Sequence, residues 1–202
     1  MIVITVDDSM LAKREKFVLN NSNIKFESGK IHGLVGRNKN GKKMLMKCIC
    51  GLIYPTVEDI NDSETDSDFP DSLGVAIETP DFIPAYSGYK NLKLMTGKKR
   101  VASPEQIKKA MEMVGLAPGL KLAVNRYSLG MRQRLTLAYA IMVNPDVYIA
   151  KEGTSDMSEY LRSLGESGKT ILIASYSTKD ISLLCDTVYE IEKGVVSKIS
   201  GW

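Results

Sequence analysis

The sequence predicts a three-layer α/β domain, and three observations carry that reading. The runs IHGLV at 31–35, SLGVAIE at 72–78 and KTILIAS at 169–175 are apolar at nearly every position, as strands buried on both faces of a parallel sheet are. Segments with helical spacing alternate with such runs. The first run enters a loop framed by Gly36 and Gly41 and then a helix, giving a strand–glycine loop–helix unit. The 202 residues suit one domain, 1–202, with room for a small insertion. A content of 44% hydrophobic and 25% charged residues excludes collagen-like, coiled-coil and wholly disordered classes.

The elements follow in order. IVITV at 2–6, KFVL at 16–19 and NIKF at 23–26 read as strands ahead of 31–35 and form an N-terminal antiparallel β part. Lys42 to Leu52 reads as a helix that Tyr54-Pro55-Thr56 stops. Glu58 to Asp71 holds seven acids and no Lys or Arg, and reads as a solvated loop; its faint calcium-loop spacing lacks the glycine at the sixth position. After the strand at 72–78, Thr79-Pro80-Asp81 breaks the chain direction. Gly88 to Leu116 is helical, with a second start at Ser103-Pro104 and an end at Gly115. In YSLGMRQRLTLAYAIMVNPD, the residues Met131, Leu135, Ala138, Tyr139 and Met142 line one apolar helix face, and Asn144-Pro145 ends it. DVYIA at 146–150 is a strand, Ser155 to Ser167 a short connection, and Lys179 to Cys185 a helix. Residues 188–199 form a hairpin turning at Lys193-Gly194.

Charge and composition narrow the chemistry. Basic residues number 27 and acidic residues 24, for a net +3; without the seven acids of the 58–71 loop the remainder carries +10, which suits phosphate-bearing ligands, nucleic acid or an anionic membrane face. Cys48, Cys50 and Cys185 are an odd set without metal-ligand spacing and read as packing residues in a reducing compartment. His32 is the sole histidine and sits in an apolar strand, so no metal centre or Ser-His site can be built from it. Met44, Met46, Met111, Met113, Met131 and Met142 lie at helical positions suited to filling core gaps. Lysines 90, 93, 98, 99, 108 and 109 read as a solvated face. IVITVDDS after Met1 lacks a cationic start, and no window approaches 18 apolar residues, so neither secretion nor membrane spanning is expected.

The loop G-R-N-K-N-G-K-K at 36–43 fits G-x-x-x-x-G-K and then departs, because Lys43 stands where a hydroxyl residue belongs. Glycines let backbone N–H groups turn toward phosphate oxygens, the helix N-terminus adds partial positive charge, and Lys42 a full one. Together with this loop, GLVGRNKNGKKMLMKCICGLIYPT, LGVAIETPDFIPAYSGYKNLKLM, YSLGMRQRLTLAYAIMVNPD and VYIAKEGT follow the order of parts of ABC transporter ATP-binding subunits, which the chain resembles over almost its whole length. The 127–145 segment is similar to their signature helix almost letter for letter, and IETPDFIP resembles subunits of antimicrobial-peptide and antibiotic exporters.

The resemblance implies a P-loop NTPase fold of the ABC type, with an inserted helical subdomain at 88–130. It implies an ATP site at Gly36, Arg37, Asn38, Lys39, Asn40, Gly41, Lys42, Lys43 and Met44. Ser128, Leu129, Gly130 and Met131 would face a nucleotide on a second such domain, in a homo- or heterodimer. A transmembrane permease subunit is the implied partner, holding the chain peripherally on the cytoplasmic face of the membrane. Glu152 matches the glutamate that aligns the attacking water, and Glu78 the usual glutamine, a change also found in such exporters.

The departures concern the metal and the hydrolytic machinery. Lys43 replaces the Ser or Thr that ligates magnesium, and Lys151 the aspartate that holds the same ion through water. Tyr176 takes the place of the switch histidine, Ser158 that of the dimer-contact aspartate, and Lys39 that of a loop glycine; the aromatic residue near Lys13 is absent unless Phe17 substitutes. Charges 4 Å apart interact by about 4 kcal/mol at an effective dielectric of 20, so two ammonium groups would repel a divalent ion. Without that ion phosphoryl transfer loses its main electrostatic support. The reading is therefore a degenerate module that binds ATP without magnesium, through Lys43 and Lys151 standing in for the metal. A competing arrangement pairs Lys151 with Glu78 or Glu152 and leaves no ligand site. A working exporter ATPase is the alternative; a nucleic-acid-associated protein ranks last, because no aromatic platform is interleaved with the basic residues.

Overall fold

The apolar runs become the middle of a six-stranded sheet. The computed structural model describes residues 2–6, 11–13, 16–19, 24–36, 39–52, 73–97, 101–151, 158–175, 181, 184–193 and 195–199. Its elements are β1 (Ile2–Val6), β2 (Leu11–Lys13), β3 (Lys16–Leu19), β4 (Ile24–Glu27), β5 (Ile31–Val35), α1 (Lys39–Ile49), β6 (Leu73–Ala76), α2 (Gly88–Met95), α3 (Pro104–Met113), α4 (Leu129–Ile141), β7 (Val147–Lys151), α5 (Ser158–Glu166), β8 (Thr170–Ala174), β9 (Thr187–Glu192) and β10 (Val195–Ile199). The sheet order is β10-β9-β5-β8-β7-β6, parallel from β9 to β6, with β10 antiparallel on β9. β1 pairs with β4 and β2 with β3, each antiparallel.

β5 and β8 are buried at every position because the sheet is covered on both faces. Leu34, Ile149, Leu172 and Ile191 pack on one side with Leu45, Met46 and Ile49 of α1 and Ile24 and Phe26 of β4. Ile31, Val35, Tyr148, Ile171 and Ile173 pack on the other with Leu135 and Ala138 of α4 and Leu161 and Leu164 of α5. These are the three expected layers. His32 is buried as a packed residue: its ring meets the Thr187 hydroxyl through Nδ1 and the Glu27 carbonyl through Nε2, and lies edge-on to Phe26. The three cysteines are free and half-buried, and burial pushes the Cys48 thiol up to about 11 and those of Cys50 and Cys185 to about 12, which suits packing rather than reaction.

Several boundaries depart from the sequence reading. α1 begins at Lys39, inside the glycine loop, and stops at Ile49. Gly51, at φ 66°, ends it: the Leu52 N–H reaches the Lys47 carbonyl at 2.9 Å and the Gly51 N–H the Cys48 carbonyl at 2.8 Å. Gly115, at φ 70°, ends the 3₁₀-like exit of α3 in the same way, as expected. α3 starts with a capping box between Ser103 and Gln106. The connection at 155–167 contains a helix, α5, whose buried Leu161 and Leu164 stand three apart and face β8. α4 is not buried along one face only: Leu135 through Ala138, Ala140 and Ile141 are all buried, because the helix lies between β6 and α3. Met113 is 41% exposed and fills no gap. The hairpin turns where expected, with Val195 opposite Glu192 and Lys193 at φ 49°. The 58–71 loop lies outside the described residues. No helix among the described residues is long and apolar enough to cross a membrane.

Candidate functional site

β5, β8, β7 and β6 are neighbours, and their register aligns Leu34 with Ala174, Ala174 with Lys151 and Ala150 with Ala76. Their carboxyl ends therefore share one edge of the sheet. Gly36 leaves β5 there, Ser175 leaves β8, Lys151 closes β7, and Ile77 and Glu78 leave β6. In open parallel sheets this edge is where ligands bind. Arg37, Asn38, Glu152 and Tyr176 lie outside the described residues; Lys39, Asn40 and Lys151 are placed by backbone alone.

Gly36 sits at φ 142°, and a Cβ there would approach the Ile191 carbonyl oxygen to 2.4 Å, so the turn into the loop admits only glycine. Lys42, in the first turns of α1, is 3% exposed, and its Nζ donates to the Gly36 carbonyl. The loop's lysine is thus turned back over the loop itself. Met44 is half-buried against the α1 side of the core.

Lys43 is paired with Glu78. The same carboxylate oxygen, Oε1, lies 3.2 Å from the Nζ of Lys47, one helical turn further along α1. Hydrogen bonding from Lys43, and next from Lys47, holds the Glu78 carboxyl below the usual glutamate range. Among the described residues the partners of Glu78 are two α1 lysines; the side chain of Lys151, which the sequence reading considered, lies outside the described residues. Sequence reasoning missed Lys47, although its i+4 spacing from Lys43 puts both on one helix face. Among the described residues no group of three His, Cys, Asp or Glu side chains could hold a metal ion.

The chain beyond Glu78 is stitched to the start of α4. Asn91, buried on α2, accepts from the Ile83 N–H at 2.6 Å and donates to the carbonyls of Ile83, Tyr86 and Ser87. The Val124 and Asn125 N–H groups reach the Tyr86 and Pro84 carbonyls at 2.9 and 3.0 Å, and the Gly88 N–H donates to the Tyr127 hydroxyl. The Ser128 hydroxyl then caps α4 by accepting from the Met131 N–H at 3.2 Å. Ser128, Leu129 and Gly130 are exposed, Leu129 by 68%, and Met131 is half-buried. α4 and α1 pack on opposite faces of the sheet.

The family model described as ABC transporter matches residues 19–155. An uncharacterized ABC transporter ATP-binding protein of Bacillus subtilis (strain 168), YybJ, is 36% identical over 189 residues, covering 88% of this chain and 87% of YybJ. The bacitracin transport ATP-binding protein BcrA of Enterococcus faecalis is 34% identical over 194 residues, covering 89% of this chain but 63% of BcrA, so the chain spans less than two thirds of that relative. Among solved structures, the dimeric post-hydrolysis state of the ATP-binding cassette MJ0796 bound to ADP and Pi superposes with a TM-score of 0.78 at 20% identity, over 100% of both chains.

Proposed function

Because this chain belongs to the ABC transporter family, we propose that it is an exporter's ATP-binding subunit that holds nucleotide with little or no magnesium-dependent hydrolysis. The observation that carries the proposal is the Lys43–Glu78 ion pair, on the helix that follows the glycine loop. Magnesium takes hard oxygen donors in near-octahedral geometry. The described side chains beside this loop offer one carboxylate, and its partners are two ammonium groups. That donor set does not fit a divalent cation, and it does fit a polyphosphate anion.

In this reading residues 36–44 cradle the phosphates, and Lys43 and Lys151 supply the charge a metal would bring. Glu78, Glu152 and Tyr176 occupy the former catalytic positions with little residual activity. Ser128, Leu129, Gly130 and Met131 face the nucleotide of a second domain, a copy of this chain or a paralogue. A Cβ on Gly130 would come no nearer than 4.0 Å to the Ser128 hydroxyl, so packing within this chain does not require glycine there. That supports a requirement set from outside. Residues 88–130 act as an inserted helical subdomain, and permease subunits hold the protein at the inner face of a membrane. The likeness to BcrA supports an antibiotic or antimicrobial peptide as the exported class.

Labelled ATP titrated into the purified protein, in chelator and in magnesium, tests the reading together with a phosphate-release assay. Binding in chelator with negligible release is expected, whereas the Lys43→Ser plus Lys151→Asp variant should bind in a magnesium-dependent way. Substantial release by the unmodified chain overturns the degenerate part of the proposal. Absence of ATP binding under every condition overturns the whole.

A further inference from the structure

α1 brings two ammonium groups to one carboxylate oxygen. Lys43 and Lys47 are four residues apart, on the same helix face, and both reach Oε1 of Glu78. We infer that Lys43 and Lys47 form a two-ammonium seat for a phosphate group, and that Glu78 is its internal occupant, displaced when a polyphosphate enters. The inference rests on the reading of the glycine loop as a nucleotide site and adds to it a binding residue, Lys47, and an internal competitor.

Three features make the exchange possible. The cluster is open to solvent: the side chains of Lys43 and Glu78 are 41% and 52% exposed and that of Lys47 25%, whereas Lys42 is buried. Exposed ion pairs contribute little, so they are given up at small cost. A carboxylate carries one negative charge, whereas the end of a triphosphate carries several and offers oxygens to both ammonium groups at once. Release of Glu78 also demands little of the backbone. The chain is held again from Ile83, whose N–H and carbonyl both bond to the buried Asn91, so the movement is confined to the few residues between.

Glu78 therefore weakens nucleotide binding by competing for the lysines, without needing a metal. Calorimetric titration of ATP, and separately of inorganic tripolyphosphate, into the full-length protein in chelator tests this with Glu78→Gln, Lys47→Met and the double variant. Glu78→Gln should tighten binding by about 3–5-fold, the scale of an exposed ion pair. Lys47→Met should weaken it by a similar factor, and the gain from Glu78→Gln should shrink when Lys47 is absent. If the wild type binds ATP but Glu78→Gln binds equally or more weakly, the inference is overturned while the nucleotide site stands. Lys47→Met leaves Glu78 and Lys43 in place and keeps the test informative should Glu78→Gln fold poorly; unchanged affinity in that variant also overturns the seat. No binding by any of the proteins, or binding only with magnesium, removes the reading on which the inference rests.

Discussion

Lys43 on α1 and Glu78 beyond β6 form an ion pair that ties the helix following the glycine loop to the end of the sheet's edge strand. Lys47 adds a second ammonium to the same oxygen. The pair governs the charge state of Glu78. Because the lysines hold its carboxyl below the ordinary value of about 4.3, the stabilisation from pairing is complete above that value and is lost as pH falls through the lower folded value. Carboxyl carbon NMR of Glu78 should show a midpoint below that of a free glutamate. Lys43→Met should raise the midpoint more than Lys47→Met does; an unmoved midpoint in Lys43→Met would mean that the pair does not form in solution.

Two glycines should separate packing from function. A Cβ at Gly74 would lie 2.4 Å from the Ala140 carbonyl oxygen and 2.6 Å from Pro145, where α4 rests on β6. Gly74→Ala should destabilise the fold by about 1–3 kcal/mol in urea unfolding. At Gly130 the added methyl would come no closer than 4.0 Å to the Ser128 hydroxyl, inside a helix, so Gly130→Ala should be neutral or stabilising by up to about 1 kcal/mol. If the signature surface meets a partner's nucleotide, the same variant should reduce ATP-dependent dimerisation measured by light scattering. Loss of stability with intact dimerisation would reverse both assignments.

His32 makes stability depend on pH near neutrality. Burial lowers its folded pKa, so between that value and the unfolded value of about 6.5 the unfolded chain binds more protons. Stability is therefore full above about 6.5 and declines as pH falls toward and through the folded value. As the only histidine, His32 can be tested cleanly. Urea midpoints should fall between pH 7.5 and 5.5 in the wild type, and His32→Gln, though less stable overall, should lose most of that slope.

Ser103 caps α3 through its side chain while Gln106 returns the bond to the Ser103 N–H. Ser103→Ala should cost about 1 kcal/mol in the same unfolding assay. A change below a few tenths would show that the box contributes little to this helix.

Much of the fold was legible from local pattern. Runs such as IHGLV and TILIA read as strands covered on both sides, which they are, and Lys193 takes the positive φ of a tight hairpin turn. The helix at 158–166 was less visible, because its contact with the sheet rests on two leucines, Leu161 and Leu164, in a short polar stretch. The burial of the second half of α4 on more than one face was not legible either. Its composition shows which residues are apolar, but not that β6 and α3 would enclose it from two sides.

The candidate site divides in the same way. Glycine spacing, the lysines and the order of motifs are properties of the chain, and they sufficed to place the glycine loop after β5 and Ser128 to Met131 at the head of α4. Which cation faces Glu78 was decided only when α1 and the end of β6 met in space. Sequence distance carries no information about that meeting, because a salt bridge depends on where two side-chain tips arrive after the sheet has aligned their backbones.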